Sequence, residues 1–311
     1  MSLRGYWAYD LRIHTELECP ELPSLAVDSG DPDVTVRLLP ARADALEALE
    51  NGYYEVHSGV FSLAIPGVAH YRVEEGQRIF VTPLPDAPTD KVRLFLLGSA
   101  MGAVLYQRGL FPIHGSAIET PWGAMIFVGA QGAGKSTLAA QFHRKGYRLL
   151  CDDVCAVAST PEGLRILPAL AQLRLCTDAY ERLGFEGGAR FDVDKFVVPI
   201  ADGYCSRRMP LRAIHILSDH DGAAPEFKVL RGFERIQRLF ENLYRPHYLK
   251  GQTTQSGLMR MAALIAQQAT MIEVKRRRDA EAIGELAGFF ESEWTKCFGP
   301  PPPPPPAKEN D

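Results

Sequence analysis

The chain has little that would carry it into a membrane or onto nucleic acid. No apolar run in its 311 residues reaches the 18 or so needed for a spanning helix, so no membrane partner is expected. The opening Met1-Ser2-Leu3-Arg4-Gly5-Tyr6 has no hydrophobic stretch of a secretion signal, and a cytoplasmic protein is expected. Positive charge is not in excess: 34 Lys and Arg against 38 Asp and Glu leave −4, so nothing draws the chain to nucleic acid. Cysteine is sparse. Six residues (Cys19, Cys151, Cys155, Cys176, Cys205, Cys297) contain no C-x-x-C pair, which excludes a disulfide framework and a zinc knuckle. Cys151 and Cys155 lie along an expected strand and read as small buried thiols in a reducing compartment.

What the chain does have is one sharp motif. Gly129-Ala130-Gln131-Gly132-Ala133-Gly134-Lys135-Ser136 fits G-x-x-x-x-G-K-[ST]. Glycines let successive backbone N–H groups turn into one concavity that holds phosphate oxygens. Lys135 would reach the β- and γ-phosphates, and the Ser136 hydroxyl would ligate Mg²⁺. The surroundings suit the motif. Ala124–Val128 is a continuous apolar run, as a strand covered on both faces should be. Thr137, counted with the nucleotide-binding set, opens a helix that Gly146 ends. A helix N-terminus adds its own partial positive charge to an anion site.

Residues 1–88 read as a mainly β domain, with strands at 34–39, 54–65, 69–73 and 78–82, the last two joined by a Glu75-Gly76-Gln77 turn. Ala41–Asn51 has the pattern of a short helix. Residues 89–298 form a second domain. It opens with a helix over 90–109, apolar almost all round and therefore buried. A hairpin follows, Phe111–Ile118 turning at Pro121-Trp122-Gly123 into the motif strand, which brings His114 near the glycine-rich loop. His114 is either a phosphate contact or an ordinary histidine at a strand start. Gly187–Arg190 reads as a mobile loop, and Glu234–Tyr244 and Leu258–Ala269 as amphipathic helices. Lys275–Arg278 reads as a solvated strand end, and Asp279 as the cap of a last helix. Residues 299–311 form a proline-rich tail expected to be disordered.

Two further groups bear on chemistry. The strand Tyr147–Cys151 ends in Asp152-Asp153, 17 residues beyond Lys135. Adjacent carboxylates beside a phosphate loop can divide the work, one holding metal and the other taking a proton from an attacking hydroxyl. A solvated acidic turn is the alternative. Lys195, Arg207 and Arg208 are candidates for a second phosphate clamp, since a transferred phosphoryl group needs positive charge on both sides. For any one of them, ordinary surface base is the commoner role.

Taken together, Ile113-His114-Gly115, the hairpin, Gly129–Ser136, Arg144-Lys145-Gly146-Tyr147 and Leu149-Leu150-Cys151-Asp152-Asp153 resemble the kinase core of the bacterial HPr kinase/phosphorylase family. The resemblance is sharp over about 110–160 and looser to about 290. It implies an α/β fold with a phosphoenolpyruvate-carboxykinase/HPr-kinase-like P-loop core, here behind an N-terminal mainly β domain. It also implies ATP and Mg²⁺ as cofactors. Asp153 would activate the acceptor serine, Ser136 and Asp152 would hold metal, and His114 would stand beside the phosphates. The family's second signature, E-[VI]-R-G-x-G, does not occur in this chain. The pattern is more similar to the HPr-kinase-like lasso-peptide tailoring kinases, which act on the C-terminal serine of a precursor peptide. The implied partner is a serine-bearing peptide or protein, with a homo-oligomer as the implied assembly. Kinases acting on HPr or a small molecule, and a nucleotide-gated binding module, stay open as alternatives.

Overall fold

Residues 3–40, 52–57, 59–192, 194–200, 202–222, 224–249, 255–277 and 280–302 are described by a computed structural model. The helix expected at Ala41–Asn51, the cap at Asp279 and the prolines after Pro302 lie outside these residues.

The N-terminal part is an eight-stranded sheet. Its strands are β1 (Arg4–Ala8), β2 (Leu11–Thr15), β3 (Ser24–Leu25), β4 (Val34–Leu38), β5 (Tyr53–His57), β6 (Val60–Ile65), β7 (Ala69–Glu74) and β8 (Arg78–Pro83). Their order is β3-β1-β2-β4-β8-β7-β6-β5. The sequence over 6–14 alternates loosely and gives no sign of a turn, yet it folds as a hairpin with Tyr9 and Asp10 at φ 55° and 60°. Two positive-φ residues match the right-handed twist of the strands they join. Glu75 and Gly76, at φ 54° and 65°, make the second such hairpin, here at the expected place.

The apolar stretch after the linker is less regular than its sequence suggests. It runs as α1 (Thr89–Phe95), a π-helical turn over Leu96–Ala100, and α2 (Met101–Gln107). All five residues of the π turn are buried, so an unbroken helical periodicity and this interrupted one read alike. Gly98 and Gly102 leave room for the Tyr244 ring. A Cβ at Gly102 would stand 2.9 Å from Tyr244 Cε1.

The second sheet contains β9 (Phe111–Thr120), β10 (Gly123–Gly129), β11 (Arg148–Cys151), β12 (Val154–Thr160), β13 (Gly163–Leu167), β17 (Met209–Asp219), β18 (Glu226–Val229) and β19 (Thr270–Arg276). Its order is β10-β9-β12-β13-β17-β19-β18, and β10 also pairs with β17, which closes a ring. The long strand β9 makes this possible: its first half pairs with β12 and its second half with β11 and β10. A small sheet of β14 (Gln172–Cys176), β16 (Lys195–Pro199) and β15 (Ala189–Asp192) lies beside it. The loop expected at Gly187–Arg190 is thus shorter, because Ala189 and Arg190 pair with β16.

The remaining helices are α3 (Lys135–Arg144), α4 (Thr177–Arg182), α5 (Glu234–Glu241), α6 (Gln255–Gln268) and α7 (Ala280–Phe298). Helix α5 stops before Leu243, which instead forms a bridge to Ile113. Phe127 on β10 stacks on Phe142 of α3 (ring centroids 5.5 Å apart), and Phe142 on Trp294 of α7 (5.1 Å). Burying each such ring stabilises the fold by about 2–3 kcal/mol. Trp122 donates its indole N–H to the Gly299 carbonyl, 3.0 Å away. One of two hydrophobic clusters among the described residues runs without a break from Tyr6, Phe61 and Tyr71 of the first sheet to Phe111, Ile126 and Ile214 of the second, and the other contains the Phe127–Phe142–Trp294 stack. No helix is long and apolar enough to cross a membrane among the described residues.

Candidate functional site

Strand β10 ends at Gly129 and helix α3 starts at Lys135. The intervening loop needs glycine at two points in particular. A Cβ on Gly129 would meet the Leu217 carbonyl oxygen at 2.6 Å, and Gly134, the residue before the helix, sits at φ 82°. The first N–H groups of a helix have no intrahelical partner. Here they stand at the wall of a cavity of about 270 Å³, lined among others by Gly132, Lys135, Ser136, Thr137 and Asp152. Lys135 Nζ donates to the Gly129 and Ala130 carbonyl oxygens, each at 3.0 Å. Burial lowers its pKa, while Asp152 and Asp153 pull the other way. The loop is propped from behind by Arg276 of β19, which donates to the Ala133 carbonyl. Arg276 is 3% exposed, so this part of the basic run is no solvated strand end, contrary to the sequence expectation.

The turn between β11 and β12 carries the two carboxylates. Asp152 is 7% exposed and Oδ1 accepts from Ser116 Oγ (2.5 Å) and Ser136 Oγ (2.8 Å). Its Oδ2 accepts from the Arg174 backbone N–H at 2.7 Å. Burial pushes the Asp152 pKa up against these three bonds, which pull it down, and the neighbouring Asp153 adds to the rise. Asp153 has φ 75°, in the left-handed region that L residues seldom occupy, although Asp tolerates it better than most. Arg174 Nη1 donates to Asp153 Oδ2 at 2.6 Å. His114 donates from Nδ1 to the Asp153 carbonyl oxygen at 3.0 Å and lies 3.5 Å from Oδ1. His114 and Ser116 are two apart on β9 and so share one face of it, the face turned to this acidic turn.

A second cavity, about 470 Å³, lies on the other side of Asp153. The two cavities share His114, Gln131, Asp153, Arg174 and Lys195 in their walls. Beyond that common rim the larger one is closed by Leu94, Gly98 and Ser99 of the α1–π-turn segment and by Leu243, Tyr244 and Arg245.

The structure therefore places His114, Gly129, Ala130, Gln131, Gly132, Gly134, Lys135, Ser136, Thr137, Asp152, Asp153 and Lys195 around these two cavities. Ala133 faces inward at 6% exposure and gives its carbonyl to Arg276. Arg207 and Arg208 are not brought in. Arg207 pairs with Glu119 near the far end of β9, and Arg208 with Asp10 at 3.2 Å, so each is held by a carboxylate away from the loop. The grouping of all three bases is thereby corrected: of the three, Lys195 lines these cavities and Arg207 and Arg208 do not. Arg174, Ser116, Tyr244 and Arg245 also line these cavities, though no motif in the sequence singles them out. The one sequence signal for Arg174 is its charge within the otherwise apolar Leu173-Arg174-Leu175.

No protein-family model matches the chain, and no curated protein matches it. Among solved structures, it is similar to the Hpr(Ser) kinase/phosphatase from Coxiella burnetii, over 60% of this chain and 99% of that one, at 12% identity and a TM-score of 0.32.

Proposed function

We propose that the protein is an ATP-dependent kinase that transfers the γ-phosphoryl group to a serine hydroxyl of a peptide, with the C-terminal serine of a ribosomally made lasso precursor as the specific acceptor. The observation that supports this is the position of Asp153, on the rim where the cavity beside the glycine-rich loop meets the second one.

In this reading the loop N–H groups and Lys135 hold the β- and γ-phosphates. Ser136 Oγ and Asp152 Oδ1, 2.8 Å apart, are hard oxygen donors of the kind Mg²⁺ takes in small number, phosphate and water completing its shell. When bound, Mg²⁺ would neutralise charge on the phosphates. Arg174 holds Asp153 Oδ2, and His114 holds the Asp153 carbonyl, so the carboxylate is aimed before the acceptor arrives. Asp153 takes the hydroxyl proton as the oxygen–phosphorus bond forms. The bond from phosphorus to the bridging oxygen breaks, and its electron pair leaves with ADP. Lys195 adds positive charge at the rim, where negative charge is carried across.

The test is a mass-spectrometric transfer assay with Mg·ATP and four acceptors: a lasso-type precursor ending in serine, the same peptide ending in alanine, HPr, and free serine. A phosphate is expected on the serine-ending peptide alone. Asp153→Asn keeps the side-chain shape and is expected to lower transfer by about 10²–10⁴-fold with nucleotide affinity unchanged. Transfer at the wild-type rate in that variant would remove Asp153 from the base role.

A further inference from the structure

Three backbone irregularities converge on the 470 Å³ cavity. The π turn Leu96–Ala100 supplies Gly98 and Ser99 to its wall. Asp153, at φ 75°, stands on its rim, and Arg245, at φ 48°, on its far side. π turns and non-glycine residues in the left-handed region are costly, and they gather where a site requires a particular side-chain direction. At Arg245 the strain is compounded by Pro246, because a residue before proline is pushed towards extended conformations.

The strained backbone aims a half-buried guanidinium. Arg245 Nε donates to Tyr244 Oη at 3.2 Å, and Cζ lies 5.5 Å and 5.8 Å from the centroids of the Tyr244 and Tyr248 rings. These contacts fix the group without neutralising it. Arg245 makes no ion pair with a carboxylate among the described residues. The other ionic groups of the wall are largely engaged: Asp153 with Arg174 at 2.6 Å, and Glu241 with Arg238 at 3.1 Å. The wall holds Arg174, Lys195 and Arg245 against Asp153 and Glu241, so 3 − 2 leaves one positive charge in excess. Lys195 belongs to the rim shared with the phosphate side; Arg245 does not. A guanidinium fork held in this way matches a carboxylate.

We propose that this cavity receives the acceptor and that Arg245 binds a carboxylate carried by the acceptor close to its reacting hydroxyl. The proposal rests on the phosphoryl-transfer reading above. The chemistry required is a hydroxyl and a carboxylate a few bonds apart, as at the terminal serine of a peptide or in a free hydroxy acid. A cavity of this volume accommodates either. Arg245 is then a specificity-determining residue, and Asp153 keeps the proton-transfer role.

The experiment is calorimetric titration of the full chain, saturated with Mg²⁺ and a non-hydrolysable ATP analogue, with three probes: N-acetyl-L-serine, N-acetyl-L-serinamide and glycerate. The acetylated acid stands for a peptide terminus and glycerate for a free hydroxy acid. At least one of the two acids is expected to bind and to lose affinity in Arg245→Met, and where N-acetyl-L-serine binds, its amide is expected to bind at least about tenfold more weakly. Arg245→Met should abolish the preference for the acid over the amide, and Arg245→Lys should restore part of it. Nucleotide affinity, unchanged in both variants, reports that they are folded. Equal binding of acid and amide, failure of both acids to bind, or an undiminished preference in Arg245→Met would overturn the proposal. Failure of the nucleotide analogue itself to bind would instead overturn the reading on which it rests.

Discussion

Single residues in this protein are held in states their free forms would not choose. His215 on β17 is fully buried, and its Nε2 accepts the Trp294 indole N–H at 3.0 Å. That role requires an unprotonated ring nitrogen, and burial pushes the His215 pKa down from 6.5 to about 3. The consequence for stability has a definite sign. Between about pH 6.5 and 3 the unfolded chain binds a proton that the folded chain does not, so this stabilising contribution is complete above pH 6.5 and is lost as pH falls. The loss approaches about 1.4 kcal/mol per pH unit within the window. His215→Gln has an amide oxygen to accept the indole N–H and no titration in this range. Urea midpoints measured from pH 7 down to 4 should fall less steeply in the variant than in the wild type. Parallel slopes would show that His215 does not carry the acid sensitivity.

At the scale of elements, the α1–π-turn–α2 segment is fitted to Tyr244. Alanine at Gly102 gains about 1 kcal/mol of intrinsic helix preference. Its Cβ would nevertheless stand 2.9 Å from Tyr244 Cε1, in a place where the ring is enclosed. Overpacking of this kind typically costs about 1–3 kcal/mol, so Gly102→Ala should be the less stable protein in urea denaturation. A variant as stable as the wild type would mean that the ring moves aside freely. The same segment shows where the sequence is legible and where it is not. The glycine-rich loop, the β9–β10 hairpin and the acidic turn each fit in a short window, and the structure has all three elements at those positions. The π turn keeps the apolar pattern of a plain helix and leaves no mark in it. Ser116 reaches Asp152 across 36 positions of chain and Arg174 reaches Asp153 across 21, through strand pairings that no local pattern encodes. No local pattern separates Lys195 from Arg207 and Arg208, because the partners of those two, Glu119 in β9 and Asp10 in the β1–β2 turn, are distant in the chain.

For the whole molecule, the unbroken core implies shared stability. The Phe61 ring of the first sheet packs tilted against Tyr248, centroids 4.4 Å apart, and Tyr71 Oη donates to the Val92 carbonyl at 2.9 Å. Tyr106 Oη donates to the Tyr244 carbonyl at 2.5 Å, tying α2 to the segment that carries Arg245. A core crossing both sheets should melt in one transition, with calorimetric and van't Hoff enthalpies equal. Two separated transitions would show that the N-terminal sheet unfolds independently. The Trp294 stack has a consequence of another kind. Its indole lies against Phe142, on the helix that begins at Lys135, with ring planes 26° apart. Indole emission responds to stacking and to the hydrogen bond at its N–H, so a small tilt of that helix alters the fluorescence of the unlabelled protein. Trp122 lies 6.1 Å away, and replacing it by phenylalanine removes one of two competing emitters, Trp7 being the other. The aromatic packing that holds the loop helix in place thus gives the protein an intrinsic optical reporter of any movement of that helix.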